Sequence, residues 1–283
     1  MKKLIIIALS AVLAVMAIEP AHAEDQKVLA IIDTAIDSNK IPSVIYEACF
    51  TDSKAMACPN GQKFMEGKGA ARSTVWPVSM LSGLYHGHNV TQSALAVNPG
   101  LKIVFVRISD ITTTGNFTNQ PTSILSAIEW VANNADKYSI DSVSISQSFI
   151  RDTTLNLCSD NRAVVSVSSL NSKSIPVFAA TGNDASTNKV GFPACINGVV
   201  GVGAFVPSAN SLEKATNRGP GLDVVAQNSI NVVRYNGTSV DFTATSAATP
   251  IAASLYLSKN TYKTVDLFIN SLTKVLGYPY ISR

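Results

Sequence analysis

Short, mostly apolar segments rich in branched residues recur along this chain, and they constrain its fold more than any other feature. They lie at Val28–Asp33, Lys102–Ile108, Ser142–Ser146, Ile175–Ala180 and Val199–Ala204. Segments of this kind are typical of strands that are buried on both faces of a parallel sheet. Because parallel strands need long crossover connections, helices are expected between them.

Helical patterns do lie between these segments. The clearest runs from Ser123 to Ala135, where apolar residues recur along one face after a Pro-Thr-Ser start signal. Weaker helices are predicted at Asn89–Val97, Asn161–Ser172 and Ser246–Leu257, and an amphipathic terminal helix at Tyr262–Leu276. Strands that alternate with helices favour an α/β fold, with a doubly wound, mainly parallel sheet and helices on both faces.

The first residues have the organisation of an export signal. Two lysines precede an apolar run from Leu4 to Ile18, and Ala21-His22-Ala23 follows. A positive start, an apolar centre and a small-x-small site are the parts of a secretory signal peptide. A transmembrane helix needs about 20 apolar residues, which is more than this run provides. We predict removal of residues 1–23, and we expect residues 24–283 to form one domain because no linker, charge run or repeat divides them.

Charge and cysteine content narrow the possible functions. The formal net charge is only +3 and no cluster of Lys and Arg is evident, which argues against a nucleic-acid or membrane-surface partner. Four cysteines remain after export, and none forms a Cys-x-x-Cys pair, so zinc and thioredoxin-like chemistry are poorly supported. Three disulfide pairings are open. We favour Cys49 with Cys58, which closes a short loop, and Cys158 with Cys195.

Histidine is the scarcest residue type that can serve as a catalytic base. Since His22 leaves with the predicted signal peptide, a mechanism that needs an imidazole must use His86 or His88. The glycine between them permits close backbone approach just before a helical pattern begins. A His pair of this spacing, taken alone, is more often a polar loop, and metal binding is disfavoured because the two positions do not share a helix face.

Three other polar residues occupy positions that suit catalysis, although each also has an ordinary structural explanation. Asp33 ends the first apolar strand, where a buried carboxylate is costly unless it is used, but it can equally cap the following turn. Ser246 is predicted at a helix N-terminus, which favours a nearby oxyanion, but an N-cap serine is commoner. Asn183 can aim an amide at negative charge, but Gly-Asn-Asp is also a common turn.

Together, these residues resemble the subtilisin-like serine peptidases, the subtilases. Asp33, His86, Asn183 and Ser246 occur in this chain order. Each lies in a segment similar to a family motif: Ile31-Ile-Asp-Thr-Ala-Ile-Asp37, His86-Gly-x-x-Val90, Ala180-Thr-Gly-Asn183 and Thr245-Ser-x-Ala-x-Pro250. The order Asp, His, Ser is the one known for subtilisin. The resemblance implies an exported serine endopeptidase with an Asp33–His86–Ser246 triad and Asn183 in its oxyanion hole.

The resemblance also implies a substrate cleft. Ser146, Gln147 and Ser148 would line it together with Ala180–Gly182, and a polypeptide would bind there. The family often has glycine at the position of Ser148, so a serine would make the primary pocket smaller or more polar. No cofactor is required; structural calcium is frequent in the family, but no site for it can be assigned. We expect a monomer in the periplasm or outside the cell, with no membrane contact after signal cleavage.

The chain departs from the family pattern near both the base and the nucleophile. Ala244 stands where a glycine usually precedes the Thr-Ser pair, Asn89 replaces the second His of the His motif, and His88 lies between the motif residues. A second interpretation therefore stays open, a catalytically weakened protein that keeps the fold and binds its target. Asn236-Gly-Thr-Ser239 resembles half of the nucleophile motif but lacks its Ala-x-Pro, so we prefer Ser246. The absence of Gly-x-Ser-x-Gly disfavours a lipase or esterase.

The segment between the predicted cleavage site and Asp33 is short, comprising only Glu24 to Ile32. Exported subtilases usually carry a pro-segment at this position. We therefore expect residues 24–283 to fold without a covalent pro-segment, with the two disulfides restricting the unfolded chain.

Overall fold

Strands and helices alternate along the chain in a computed structural model, which describes residues 26–52, 57–73, 85–111, 117–119, 121–150, 156–259 and 262–282. The strands are β1 (Val28–Asp33), β2 (Val44–Phe50), β3 (Phe64–Glu66), β4 (Lys102–Arg107), β5 (Ser109–Ile111), β6 (Phe117–Asn119), β7 (Ile140–Ile145), β8 (Val177–Ala180), β9 (Val199–Val206), β10 (Ser211–Leu212), β11 (Val224–Gln227), β12 (Ser229–Val233), β13 (Ser239–Thr243), β14 (Lys274–Val275) and β15 (Tyr278–Ile281). The helices are α1 (His86–Val97), α2 (Pro121–Asn134), α3 (Asn161–Ser172), α4 (Thr245–Ser258) and α5 (Val265–Asn270).

One large, mainly parallel sheet forms the centre of the protein, which confirms the predicted fold class. Within the described residues it has 11 strands, in the order β14-β15-β11-β9-β8-β7-β1-β4-β2-β3, with β10 paired to β9. Neighbours from β15 to β2 are parallel, whereas β3, β10 and β14 pair in antiparallel fashion. Because β1, β7 and β8 are adjacent and parallel, their carboxyl ends lie side by side.

Both faces of the sheet are covered by apolar side chains, which explains why the strand segments show continuous apolar runs. In β1, Ala30 and Ile32 belong to the core on the side of α2 and α3. Leu29 and Ile31 belong to the core on the side of α1 and α4. Full burial of a Leu or Ile side chain stabilises the fold by about 1.5–3 kcal/mol. These buried contacts fix the end of β1 between the two helix layers.

The C-terminal segment differs from the sequence-based prediction. A helix over Tyr262–Leu276 was expected, but α5 ends at Asn270 and the chain then forms the β14–β15 hairpin. The two residues between these strands, Leu276 and Gly277, have φ values of 52° and 86°. Positive φ at both central residues is typical of a tight hairpin turn. The expectation was wrong because β15 pairs with β11, and this sheet contact outweighs a weak amphipathic pattern.

Two disulfides join the pairs favoured from sequence. Cys49 and Cys58 have a Cα–Cα distance of 5.9 Å and close a loop after β2. Cys158 and Cys195 have a Cα–Cα distance of 5.3 Å and connect the segment before α3 to the segment before β9. Such links stabilise a fold mainly by restricting its unfolded chain, by roughly 3 kcal/mol for a loop of about 15 residues.

The predicted signal peptide, residues 1–23, lies outside the described part of the chain. In that described part, no helix has both the length and the apolar character needed to cross a membrane.

Candidate active site

A cleft at the carboxyl ends of the central strands brings together the residues singled out from the sequence. It measures about 350 Å³ and is lined by His86, Ser146, Gln147, Ser148, Ala180, Gly182, Asn183, Asp184, Thr245 and Ser246. The segment 146–148 directly follows β7, and the segment 181–184 directly follows β8. In open α/β sheets, ligands bind at this end of the strands.

A larger cavity, of about 550 Å³, lies at the opposite edge of the sheet. Its lining includes Lys27, directly before β1, Asp141, near the start of β7, and Ile175, two residues before β8. It therefore lies at the amino ends of the strands and contains no histidine. Size alone does not identify a catalytic site, and the smaller cleft is the one that combines a histidine with Ser246.

Asp33 and His86 form the central polar contact of the cleft. The Nδ1 atom of His86 lies 2.7 Å from Oδ1 of Asp33, which is fully buried at the end of β1. The Thr34 amide donates to the same carboxylate oxygen at 2.7 Å. An Nδ1–H that donates to Asp33 leaves Nε2 of His86 as the proton acceptor, which is the tautomer that a general base needs. Gln147 Nε2 is also 3.3 Å from Nδ1, but the shorter contact with an anionic acceptor decides the tautomer.

Two opposing effects act on the pKa of His86. Burial disfavours the imidazolium and lowers the pKa, whereas the charge of Asp33 and its hydrogen bond raise it. The net result is a pKa raised above the ordinary histidine value. The geometry therefore stabilises the imidazolium that forms when His86 accepts a proton.

Gly87 explains why His86 can stand directly beside the end of β1. Its amide donates to Thr34 Oγ1 at 2.8 Å. A Cβ atom at this position would lie 2.6 Å from Phe105 Cζ and 2.9 Å from the Thr34 carbonyl oxygen. Any larger residue would push α1 away from the sheet. Helix α1 accordingly begins at His86, earlier than the predicted start at Asn89.

Ser246 lies in the first turn of α4, where the sequence placed it, and half-exposed in the cleft. In the described chain no hydrogen bond joins it to His86; such contacts are often long in enzymes without substrate. Ala244, two residues before Ser246 at the N-cap of α4, has φ 69° and ψ −163°. Only glycine adopts this region without strain, and a side chain there costs roughly 1–3 kcal/mol. The family departure noted from sequence is therefore a strained position close to Ser246.

Asn183 is held in one orientation by Thr245. Its Oδ1 atom accepts hydrogen bonds from the Thr245 hydroxyl at 2.8 Å and from the Thr245 amide at 3.3 Å. A backbone amide can only donate, so the atom that faces it must be the Asn183 oxygen. The Nδ2 group is thereby the donor end of this side chain, in a cleft that Ser246 also lines.

Asn217 supports this arrangement and was missed from the sequence. It is fully buried, and its oxygen accepts from the amides of Asp184 at 2.9 Å and Ser186 at 3.1 Å. Its Nδ2 donates to the Thr181 carbonyl oxygen and to an Asp184 carboxylate oxygen, both at 3.0 Å. It thus fixes the loop that carries Asn183. Nothing in the segment Thr216-Asn217-Arg218 distinguishes it from an ordinary loop.

The structure separates the two histidines that the sequence left as alternatives. His88 is 3% exposed, its Nε2 lies 3.1 Å from the Val233 carbonyl oxygen, and it does not line the cleft. Because this carbonyl can only accept, His88 carries its proton on Nε2. Burial lowers the pKa of His88, although the Val233 contact opposes this. His88 therefore joins α1 to the β12–β13 hairpin as a neutral side chain.

The same hairpin also contacts the base and contains the second candidate serine. Phe242 meets His86 edge to face, with ring centroids 5.3 Å apart. Tyr235 stacks on Tyr85 with centroids 3.9 Å apart. Ser239 is exposed and donates to Asn231 across the hairpin, outside the cleft. Of the two serines considered from sequence, only Ser246 shares the cleft with His86.

Comparisons with known proteins agree with the fold and identify the family. The sequence model of the subtilase family, peptidase S8, matches residues 25–264. A subtilisin of Bacillus pumilus is 32% identical over 187 residues, which covers 64% of this chain and 62% of that protein. Subtilisin E of Bacillus subtilis strain 168 is 31% identical over 187 residues, covering 64% of this chain and 45% of that protein. The chain thus spans less than two thirds of the length of these curated relatives.

Two solved structures have a similar fold. The prenylagaramide maturation protease PagA has a TM-score of 0.61 at 18% identity, and the likeness covers 88% of this chain and 83% of that one. A lanthipeptide protease has a TM-score of 0.63 at 16% identity, with 90% and 85% covered. At such low identities the likeness concerns the fold alone.

Proposed function

Because the chain belongs to the subtilase family of serine peptidases, we propose that it is an endopeptidase in which Asp33, His86 and Ser246 form the catalytic triad. The observation that carries the proposal is the 2.7 Å contact between Asp33 and His86 Nδ1, in a cleft that Ser246 also lines. The buried Asp33 carboxylate accepts the hydrogen bond from His86, and His86 therefore has the tautomer that general-base catalysis needs.

The first step is the formation of an acyl-enzyme. Ser246 Oγ attacks the scissile carbonyl carbon while Nε2 of His86 removes the hydroxyl proton. Asp33 retains its hydrogen bond to Nδ1–H and stabilises the resulting imidazolium. This role agrees with the raised pKa of His86. Burial lowers that pKa, but the charge of Asp33 and its hydrogen bond together raise it by more.

Negative charge on the carbonyl oxygen is stabilised by Asn183 and by the start of α4. The Asn183 Nδ2 group donates from one side because Thr245 holds its oxygen. The Ser246 amide and the positive end of the helix dipole act from the other side. In subtilisin, loss of one such donor costs about 2.7–4 kcal/mol of transition-state stabilisation.

Collapse of the tetrahedral intermediate releases the first product. His86 gives its proton to the leaving amine, and a water molecule then repeats the attack on the acyl-enzyme with His86 again as the base. All proton transfers use groups of this chain, so we propose no cofactor. Among the described residues, no cluster of three or more His, Cys, Asp or Glu side chains can hold a metal, and we assign no calcium site.

The proposed setting is outside the cytoplasm, in the periplasm or the medium, where the enzyme acts as a monomer on polypeptides. Two disulfides support this setting, since such bonds persist in oxidising compartments. The weak net charge of +3 supports a protein substrate over a nucleic acid.

Labelling with a fluorophosphonate tests the function directly. The reagent modifies a serine only when an adjacent base activates it, so we expect one modified residue, Ser246, in the purified protein. Ser246→Ala should abolish labelling, whereas Ser239→Ala should leave it unchanged. A folded protein that takes no label would favour the alternative from sequence, a subtilase-fold binding protein without peptidase activity.

A further inference from the structure

The hydroxyl of Ser148 fills the space between two glycines at one end of the cleft. A Cβ atom on Gly182 would lie 2.6 Å from Ser148 Oγ, and a Cβ atom on Gly191 would lie 2.1 Å from it. Both distances are far below van der Waals contact, so the hydroxyl occupies the room beside Gly191 and shares the room beside Gly182 with Asn217 Nδ2, which lies 2.4 Å from the same Cβ position. The hydroxyl donates to the Thr181 carbonyl oxygen at 3.3 Å, which holds it there.

A backbone bridge adjoins this hydroxyl. Phe149 and Phe192 pair as an antiparallel bridge, with N–O distances of 2.9 Å and 2.8 Å. Phe192 is buried, so this bridge is packed into the core. Gly191 adjoins the bridge, and Ser148 Oγ lies 2.1 Å from the position that a Cβ atom on Gly191 would take. The described lining near this hydroxyl includes Ala180 and Gly182, both smaller than Ser148.

The proposed chemistry decides which part of a substrate meets this wall. The leaving amine must approach His86, which protonates it, and Gln147 adjoins His86 with a contact of 3.3 Å. The carbonyl oxygen must approach Asn183, whose loop also contains Gly182. Ser148 packs against that loop. The side chain that meets Ser148 is therefore that of the residue on the acyl side of the scissile bond.

We propose that Ser148 restricts this peptidase to substrates with Gly, Ala or Ser immediately before the scissile bond. The inference rests on the proposed function and names its substrate class. A hydrogen or a methyl group fits in front of the Ser148 hydroxyl, whereas a Leu or Phe side chain needs the space that the hydroxyl occupies. Neither Thr181 nor the Phe149–Phe192 bridge can give way without loss of backbone hydrogen bonds.

Matched peptides with one fluorogenic amide bond provide the test, since they differ only in the residue before that bond. We expect kcat/KM of the purified protein to favour Ala over Phe by about tenfold or more, a discrimination that pocket size alone can supply. Ser148→Ala should raise kcat/KM for the Phe peptide by about tenfold relative to the Ala peptide. Ser239→Ala, the same substitution outside the cleft, should leave the Ala-to-Phe ratio unchanged.

The outcomes separate this inference from the function on which it rests. A wild-type protein that is labelled on Ser246 but cleaves the Phe peptide as fast as the Ala peptide overturns the role of Ser148 and leaves the function intact. Absence of both labelling and cleavage overturns the function itself. The Ala-to-Phe ratio of the wild-type protein tests the inference even if Ser148→Ala fails to fold. In that case Ser148→Gly supplies the second variant.

Discussion

The two sides of the cleft are held in place by different physical means. On one side, Asp33 ends a strand that is buried on both faces, and His86 stands against it because Gly87 permits close contact. On the other side, Ser246 follows a strained Ala244, and Asn183 lies on an exposed loop. His86 is thus fixed by packing against the core of the sheet, whereas Asn183 depends on polar contacts near the surface.

Polar contacts hold the exposed loop on the second side and join it to the buried helix α4. Thr245 orients the Asn183 amide, and buried Asn217 pairs with the backbone of the loop that carries it. Ser146 donates to the Ser246 carbonyl oxygen at 3.0 Å, which joins the end of β7 to the start of α4. Such networks are sensitive to single substitutions because each lost partner leaves a polar group unpaired. The two sides should therefore respond differently to mutation.

The largest expected effect removes either end of the proton transfer. Ser246→Ala and His86→Ala should each reduce kcat by about 10⁶-fold, the scale known from subtilisin, and the double variant should be little worse. The reason is that nucleophile and base act as one unit across the two sides. Peptidase assays with the circular dichroism spectrum as a folding control measure this. Full activity in Ser246→Ala together with inactivity in Ser239→Ala would assign the nucleophile to the hairpin instead.

A smaller effect is expected on the oxyanion donor. Asn183→Ala should lower kcat by about 10²–10³-fold with little change in KM, because the amide is needed when charge develops on the oxygen; the scale again comes from subtilisin. Thr245→Val keeps the Thr245 amide but removes the hydroxyl that orients Asn183, so its loss should be smaller. Steady-state kinetics of both variants gives the comparison. An effect of Asn183→Ala confined to KM would make Asn183 a substrate-binding residue.

The pH dependence of kcat/KM should follow the pKa of His86 and should not depend on His88. Burial lowers the pKa of His86, but Asp33 raises it above the ordinary histidine value. His86 can accept a proton only above this raised pKa, so kcat/KM should fall about tenfold per pH unit below it. Asp33→Asn should move this limb to lower pH, since burial alone lowers the pKa. His88→Gln should leave it in place. If His88→Gln shifts the acidic limb of the kcat/KM profile, the assignment of His86 as the base is wrong.

The two sides also differ in how far the sequence predicts them. The continuous apolar runs of β1, β7 and β8 identify the sheet, and their order places Asp33 at its carboxyl edge. Asn217 acts through tertiary contacts with the loop 181–186, and no local pattern encodes those contacts. The terminal helix was wrong for the same reason, because pairing of β15 with β11 is non-local. Local periodicity thus predicts the core side of the site better than the loop side.

The smallest expected effect concerns the strain beside the nucleophile. Ala244 occupies a backbone region that glycine adopts freely, so Ala244→Gly should remove roughly 1–3 kcal/mol of strain. Glycine also gives the unfolded chain more freedom, which offsets about 0.5–1 kcal/mol of that gain. We expect the free energy of unfolding, measured in denaturant, to rise by about 1 kcal/mol.

Ala253→Gly is the matched control, because Ala253 is buried within the regular part of α4. There the same substitution should lower the free energy of unfolding by about 1 kcal/mol or more. Equal losses in both variants would mean that Ala244 is unstrained, and the contrast between a relaxed base and a strained nucleophile would then fail.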